Sequence, residues 1–296
     1  MAHTHSPARA NAHRLLAVLG LSITILVVEL IGGLASNSLA LLADAGHVLT
    51  DVAGISLALL AIWFGSRPTS SERTFGYLRL EILAAVANAV LLFAVAAFVL
   101  YEAWRRLSDP VAVTSGLMLA VALAGLLING ISLWLLHDAQ AKSLNMRGAY
   151  LEVMGDAAGS VAVVVAAVVI TLTGQTGADT LASVIIALLI LPRTWGLLRD
   201  AIDVLLEATP KGVEMADVRR HILEAPGVAD VHDLHAWSIT SGVNVVSAHV
   251  VLDPGADPAG VLDFLCECLS GDFDIEHSTF QLESSDRRRL EAGSHG

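Results

Sequence analysis

Six stretches of this chain reach the ~20 mostly apolar residues that a helix needs to cross a ~30 Å hydrocarbon core. They lie near 15–35, 38–64, 82–102, 111–136, 148–172 and 178–198. Lipid offers no partners for backbone N–H and C=O groups, so such stretches must satisfy them internally and be helical. Composition agrees: 55% of the 296 residues are hydrophobic and only 16% are charged. From about Glu207 the pattern changes to that of a soluble domain. The fold class expected is a polytopic α-helical membrane protein with six transmembrane helices and a C-terminal cytoplasmic α+β domain. The expected boundaries are an N-terminal cytoplasmic tail over 1–14, a transmembrane domain over 15–206, a cytoplasmic domain over 207–286 and a disordered tail over 287–296. The first stretch reads as a retained span, because it is longer than a signal-peptide core, contains Glu29 and is followed by five more.

Orientation follows from Lys and Arg near the span ends. An inside N-terminus puts Arg9, Arg14, Arg67, Arg73, Lys142, Arg147, Arg199 and Lys211 on the cytoplasmic side, and leaves Arg105 and Arg106 outside. Both termini are then cytoplasmic, in a cell (inner or plasma) membrane. The net charge of −12 argues against nucleic acid as a partner. The two cysteines, Cys266 and Cys268, are two apart on a predicted helix and face different ways, so they read as reduced residues rather than a disulfide.

The second stretch poses the functional question. Within LLADAGHVLTDVAG (41–54) it carries Asp44, His47 and Asp51, which at 100° per residue fall within about 60° of one another. Each such group costs roughly 2.5–3.5 kcal/mol or more to insert at mid-membrane unless it is paired, hydrated or metal-bound. Span five holds a comparable pair, Glu152 and Asp156, one turn apart on one face. Counting from the span ends, His47, Asp51 and Asp156 lie near mid-membrane, with Glu152 several ångströms nearer the cytoplasm. One interhelical hydrogen bond explains one such residue; it does not explain two i,i+4 pairs at matching depth. One imidazole with three carboxylates suits a divalent cation, and the imidazole favours zinc, cobalt or cadmium over magnesium. Asp44, nearer the outer end, is left outside the ligand set as a supporting group, a proton relay or a hydrated carboxylate. Glu29, Asn88, Asn129 and Glu102 read as interhelical hydrogen bonds or interface residues. Small residues such as Gly32, Gly33 and Gly125 permit close helix packing.

Four stretches in order, SNSLALLADAGHVLTDV, RTFGYLRLEILAAVANA, YLEVMGDAAGS and VHDLHAW, closely resemble the cation diffusion facilitator family, particularly its bacterial zinc, cobalt and cadmium efflux members. The resemblance spans about Leu15 to Glu283. It implies six transmembrane helices, a ferredoxin-like cytoplasmic domain, a homodimer, and divalent metal exported in exchange for protons. Carried over by position, the transport site is His47, Asp51, Glu152 and Asp156. Many zinc members have His where this chain has Glu152, so an exclusive preference for zinc is not implied. The loop GSRPTSSERTFGY has no His, and no metal is expected there. The N-terminal His3, His5 and His13 read as part of a disordered tail.

In the cytoplasmic domain, helix (214–224), strand (231–239), strand (243–252), helix (257–269) and strand (274–283) follow in order, punctuated by Gly227, Ser241-Gly242 and Pro254-Gly255. This αββαβ pattern is compatible with a small open-faced sandwich. His232, His235, His249 and His277 gather in and just before the strands. The resemblance makes His232, His249 and His277 regulatory metal ligands in the dimer. His232 and His235 are three apart and face opposite ways in one regular strand, so either the strand starts after His232 or the two serve different metals, with His235 also a candidate ligand. Glu283 lies ~20 Å along a straight strand from His277, so the two are not expected on one ion.

Three carboxylates and a neutral imidazole total −3, too much bare charge for a membrane interior, so protons or metal must occupy the site. Metal and proton sharing one site is the simplest basis for antiport by alternating access. The rival readings are a membrane-anchored metal sensor and an intramembrane metalloenzyme. The second lacks HExxH and a separate general base.

Overall fold

In the computed structural model, which describes residues 7–65, 69–141, 144–275 and 277–290, the apolar stretches form long helices. These are α1 (Pro7–Ser36), α2 (Leu39–Gly65), α3 (Leu80–Ser108), α4 (Ser115–Gln140), α5 (Leu144–Thr173) and α6 (Gly177–Leu205). The shortest has 26 residues and the longest 30, or about 39–45 Å of helix. Among the described residues, five of the six contain a window long and apolar enough to cross a membrane. The sixth, α2, matches them in length at 27 residues while carrying the Asp44–His47–Asp51 stripe. The first helix begins at Pro7, inside the stretch expected to be a tail; His3, His5 and the side chain of His13 lie outside the described residues.

The outward faces are what lipid requires. Trp134, Leu172 and Leu189 are 77%, 79% and 71% exposed, a surface that water disfavours and hydrocarbon accepts. Inward, Leu39, Val99, Met118, Val163 and Ile186 build a common core from five helices. Small residues set the spacing: a Cβ on Gly32 of α1 would lie 2.5 Å from Val121 of α4, so only glycine allows that approach.

The outer ends of α2, α3 and α6 are tied by one buried carboxylate. Asp179, in the first turn of α6, accepts from Ser38 Oγ (2.6 Å), Leu39 N (2.7 Å) and Ala40 N (3.1 Å). It thereby satisfies the orphan amides at the start of α2, the role that a capping side chain usually fills from within its own helix. Arg106 of α3 reaches the same carboxylate at 3.3 Å and donates to the carbonyl of Asn37 at 2.8 Å.

The chain divides into two compact units, Met1–Leu59 with Ala87–Leu198, and Leu60–Val86 with Arg199–Gly296. The second contains α7 (Met215–Leu223), β1 (Val228–Thr240), β2 (Val243–Leu252), α8 (Pro258–Phe273), β3 (His277–Glu283) and α9 (Ser285–Leu290). The αββαβ order is as expected, and α9 begins just before the predicted C-terminal tail, whose last residues lie outside the described set. The sheet order is β1-β2-β3, with β1 and β2 antiparallel and β2 and β3 parallel. One sheet face supplies Val231, Val246, Ala248 and Val250 to a core closed by Val218, Ile222, Leu265 and Leu269 of the two helices. The opposite face carries the alternate residues, including His249, Gln281 and Glu283.

Candidate functional site

The stripe on α2 meets the lower part of α5 inside the first unit. His47 Nε2 lies 3.3 Å from Asp156 Oδ1 and 3.7 Å from Asp51 Oδ2. One donor atom from each residue lies within 4.8 Å of the others. At ordinary Zn–N and Zn–O lengths, two ligands of a tetrahedral ion stand about 3.4 Å apart, so the trio is spaced to take one. Buried atoms of the same residues, His47 Nδ1, Asp51 Oδ2 and Asp156 Oδ1, lack hydrogen-bond partners. Buried polar atoms are rarely left so, and a cation would satisfy the two carboxylate oxygens directly.

Glu152, the fourth expected ligand, is not in that cluster. Its Oε1 accepts from Arg193 of α6 at 2.7 Å. A carboxylate beside a guanidinium is better placed than one crowding two like charges, so Glu152 turns to the cation. It still borders the site. A cavity of about 340 Å³ is lined by His47, Asp51, Glu152 and Arg193, and another of about 450 Å³ by Asp51, Glu152 and Asp156.

The remaining polar residues sort by partner. Asn129 donates to Ser160 across α4 and α5 (3.3 Å), and Ser160 reaches Asp44 at 3.4 Å. Glu102 pairs with Arg105 and Arg106 along its own helix. Glu29 of α1 is fully buried, and its carboxylate meets Asp44 of α2 across the helices. It packs where Gly125 leaves room, since a Cβ there would stand 2.8 Å from Glu29 Oε1.

On the opposite sheet face a second cluster forms. His249 Nδ1 lies 2.8 Å from Glu283 Oε1, and His232 Nε2 lies 3.3 Å from Glu283 Oε2. One donor atom from each of the three falls within 4.8 Å of the others, an N/O set that suits zinc. Two expectations change here. His232 and His235 do not face opposite ways, because β1 bulges between them: His232 pairs with His249 and His235 with Ser247, which share a face. Asp233, at φ 51, makes the bulge, and it accepts from or pairs with His235 Nε2 at 2.9 Å. His277 is not brought to His232 and His249. It pairs with Val245, four residues along β2 from His249, roughly 13 Å away, and its ring stands edge-on to Phe75 at 6.0 Å.

The sequence profile of the cation efflux transmembrane domain matches residues 15–206, and that of the cation efflux protein cytoplasmic domain matches 210–285. The chain belongs to the cation efflux family. This cation efflux protein is 45% identical over 294 residues to the cation efflux system protein CzcD of Alcaligenes sp. (strain CT14), covering 99% of this chain and 93% of that protein. It is 43% identical to the zinc transporter ZitB of Escherichia coli (strain K12), over 96% of this chain and 93% of the relative. It is 39% identical to a cadmium, cobalt and zinc/H(+)-K(+) antiporter of Bacillus velezensis, again over 96% and 93%. A solved structure, the metal-bound C-terminal domain of the CzcD transporter, matches 24% of this chain and 99% of that chain at 44% identity, with a TM-score of 0.23.

A cation efflux protein is a transporter, so the metalloenzyme reading falls away; the chain is a multi-pass membrane protein with a cytoplasmic C-terminal domain. The site residue that sequence reasoning passed over is Arg193. Its signal was a lone arginine in the apolar run LLILPRTWGLL, a costly charge that demands a partner.

Proposed function

We propose that this cation efflux protein exports divalent metal from the cytoplasm, zinc foremost and cadmium and cobalt with it, in exchange for protons. The observation that carries the reading is the trio His47, Asp51 and Asp156, set at ligand spacing with Asp51 Oδ2 and Asp156 Oδ1 both turned to His47 Nε2. The names of the relatives support the same cargo: one is a zinc transporter, another a cadmium, cobalt and zinc antiporter that names H(+) and K(+) as counter-ions.

The chemistry follows from the donor set. Metal entering from the cytoplasmic side displaces protons from His47, Asp51 and Asp156. Glu152 completes a four-ligand site by exchanging Arg193 for the metal. That exchange moves one carboxylate from a cation on α6 to a cation on the α2–α5 axis, so occupancy changes which helices are held together. Opening to the outside lets protons compete for the same ligands and release the metal. The protein works as a homodimer in a cell (inner or plasma) membrane with both termini cytoplasmic, and His232, His249 and Glu283, with His235 beside them, bind zinc that tunes the rate.

The test is metal flux into sealed vesicles from purified protein, with internal pH followed at once. Zinc uptake coupled to proton movement is the expected result. Flux with no pH response under any gradient sinks the exchange, and metal binding without flux leaves a membrane-anchored sensor.

A further inference from the structure

A third group of ligands lies on neither site. His221 of α7 faces Cys268 and Asp272 of α8, and one donor atom from each falls within 4.8 Å of the others. His221 Nε2 stands 3.6 Å from Asp272 Oδ2, and Cys268 Sγ stands 3.7 Å from the same oxygen. Around one tetrahedral zinc ion, N and O ligands are about 3.4 Å apart and S and O ligands about 3.6 Å. Two of the three separations are thus already within a few tenths of an ångström of coordination, and the third lies within 4.8 Å.

The histidine is oriented for the purpose. Its Nδ1 lies 2.9 Å from the Asp217 carbonyl oxygen, which can only accept, so Nδ1 carries a hydrogen and Nε2 is the nitrogen that faces Asp272 and is left for a metal. A ligating imidazole commonly has its other nitrogen bonded to a backbone carbonyl in this way. Its ring is braced edge-on by Phe273, with centroids 5.0 Å apart. Cys268 and Asp272 are one turn apart and share a helix face. The surroundings are negative: burial, Asp272 and Glu224 together hold the Cys268 thiol above its ordinary range. A redox-active cysteine needs the opposite, an electropositive setting.

We propose that His221, Cys268 and Asp272 form a third metal site, a soft one that takes cadmium or zinc and staples α7 to α8 on the helical side of the cytoplasmic domain. Binding exchanges the Cys268 S–H proton, released to water, for a metal–sulfur bond; no electron changes hands. The thiolate distinguishes this site chemically from the other two, which offer nitrogen and oxygen alone, and it favours cadmium over cobalt. The inference does not depend on the transport reading.

The chain's composition makes the test selective, since Cys266 and Cys268 are its only two cysteines. A sulfur-to-metal charge-transfer band on adding Cd²⁺ to the full-length protein in detergent therefore reports a thiolate and nothing in the other clusters. The expected result is a band that saturates at one Cd²⁺ per chain, survives Cys266→Ser and disappears in Cys268→Ser. His221→Ala is expected to weaken the apparent affinity at least about tenfold, as even outer partners of metal ligands matter by 10- to 100-fold. Affinity should climb with pH as the competing thiol proton is lost. Absence of the band in the unaltered protein, its survival in Cys268→Ser, its loss in Cys266→Ser, or an unchanged affinity in His221→Ala each overturns the proposal. Circular dichroism of every variant confirms that it is folded, and Asp272→Asn, which keeps shape and removes charge, repeats the affinity test without changing side-chain size.

Discussion

The membrane cluster and the sheet cluster use nearly the same chemistry, imidazole and carboxylate, on different mechanical supports. His47 and Asp51 ride on one helix and Asp156 on another, so their spacing depends on how two rods cross. His232, His249 and Glu283 are fixed by the register of three hydrogen-bonded strands, and Glu283 bridges the two histidines within the sheet itself. A set carried by separate helices can be made and unmade by tilting; a set carried by a ladder cannot. The first suits a cargo that must leave, the second a bound ion that reports concentration.

If that contrast is right, losing a membrane ligand should abolish transport and losing a sheet ligand should only shift it. Asp156→Ala or Asp51→Ala is expected to cut zinc flux in vesicles at least about 100-fold, in protein that still inserts and folds, because each removes a charge and a ligand from a small set. Near-normal flux in either variant removes that residue from the site.

The next largest effect concerns Arg193. Arg193→Gln frees Glu152 to face the cluster, and zinc is expected to bind roughly tenfold more tightly and leave more slowly, the scale of one charge-assisted hydrogen bond of about 1.5–3 kcal/mol. Equilibrium binding and single-turnover release would read both. Unchanged binding means that the ion pair with Glu152 does not compete with metal. Glu152→His, which swaps an oxygen for a nitrogen ligand, should move preference toward zinc over cadmium by several-fold in competition uptake; an unchanged ranking places Glu152 outside the coordination sphere.

The smallest effects on saturated flux belong to the sheet. His249→Ala should raise the zinc concentration for half-maximal rate about fivefold to thirtyfold with little change at saturation, matching a coupling of about 1–2 kcal/mol. His277→Ala, far from the pair along the strands, should change it less than about twofold. Equal effects from the two would mean that a second chain supplies His277 to the cluster.

Much of this was legible in the sequence, for identifiable reasons. Apolar runs fix the helices because lipid admits little else, and i,i+4 spacing alone puts His47 with Asp51 on one face. The αββαβ order was readable because Gly227 and Gly242, both at positive φ, punctuate it. What could not be read depends on distant partners. Arg193 meets Glu152 from 41 positions away. The bulge at Asp233 is an aspartate in a conformation that glycine usually takes, which local pattern does not announce. It reverses the expected facing of His232 and His235. The distance that separated His277 from Glu283 was legible, but not that Glu283 would be the one to join His232 and His249.

The Asp179 knot gives the molecule a pivot. With α2 held to α3 and α6 by its first residues, it behaves as a lever fixed at its outer tip, and the lever arms are set by sequence position. His47 sits about 13 Å along the helix from Ser38 and Asp51 about 20 Å. A rotation of roughly 10° about the tip therefore sweeps His47 by about 2 Å and Asp51 by about 3 Å past α5, while metal–ligand bonds tolerate only about 0.2 Å. A motion too small to disturb the outer packing of Leu39 and Leu41 is enough to separate His47 and Asp51 from Asp156.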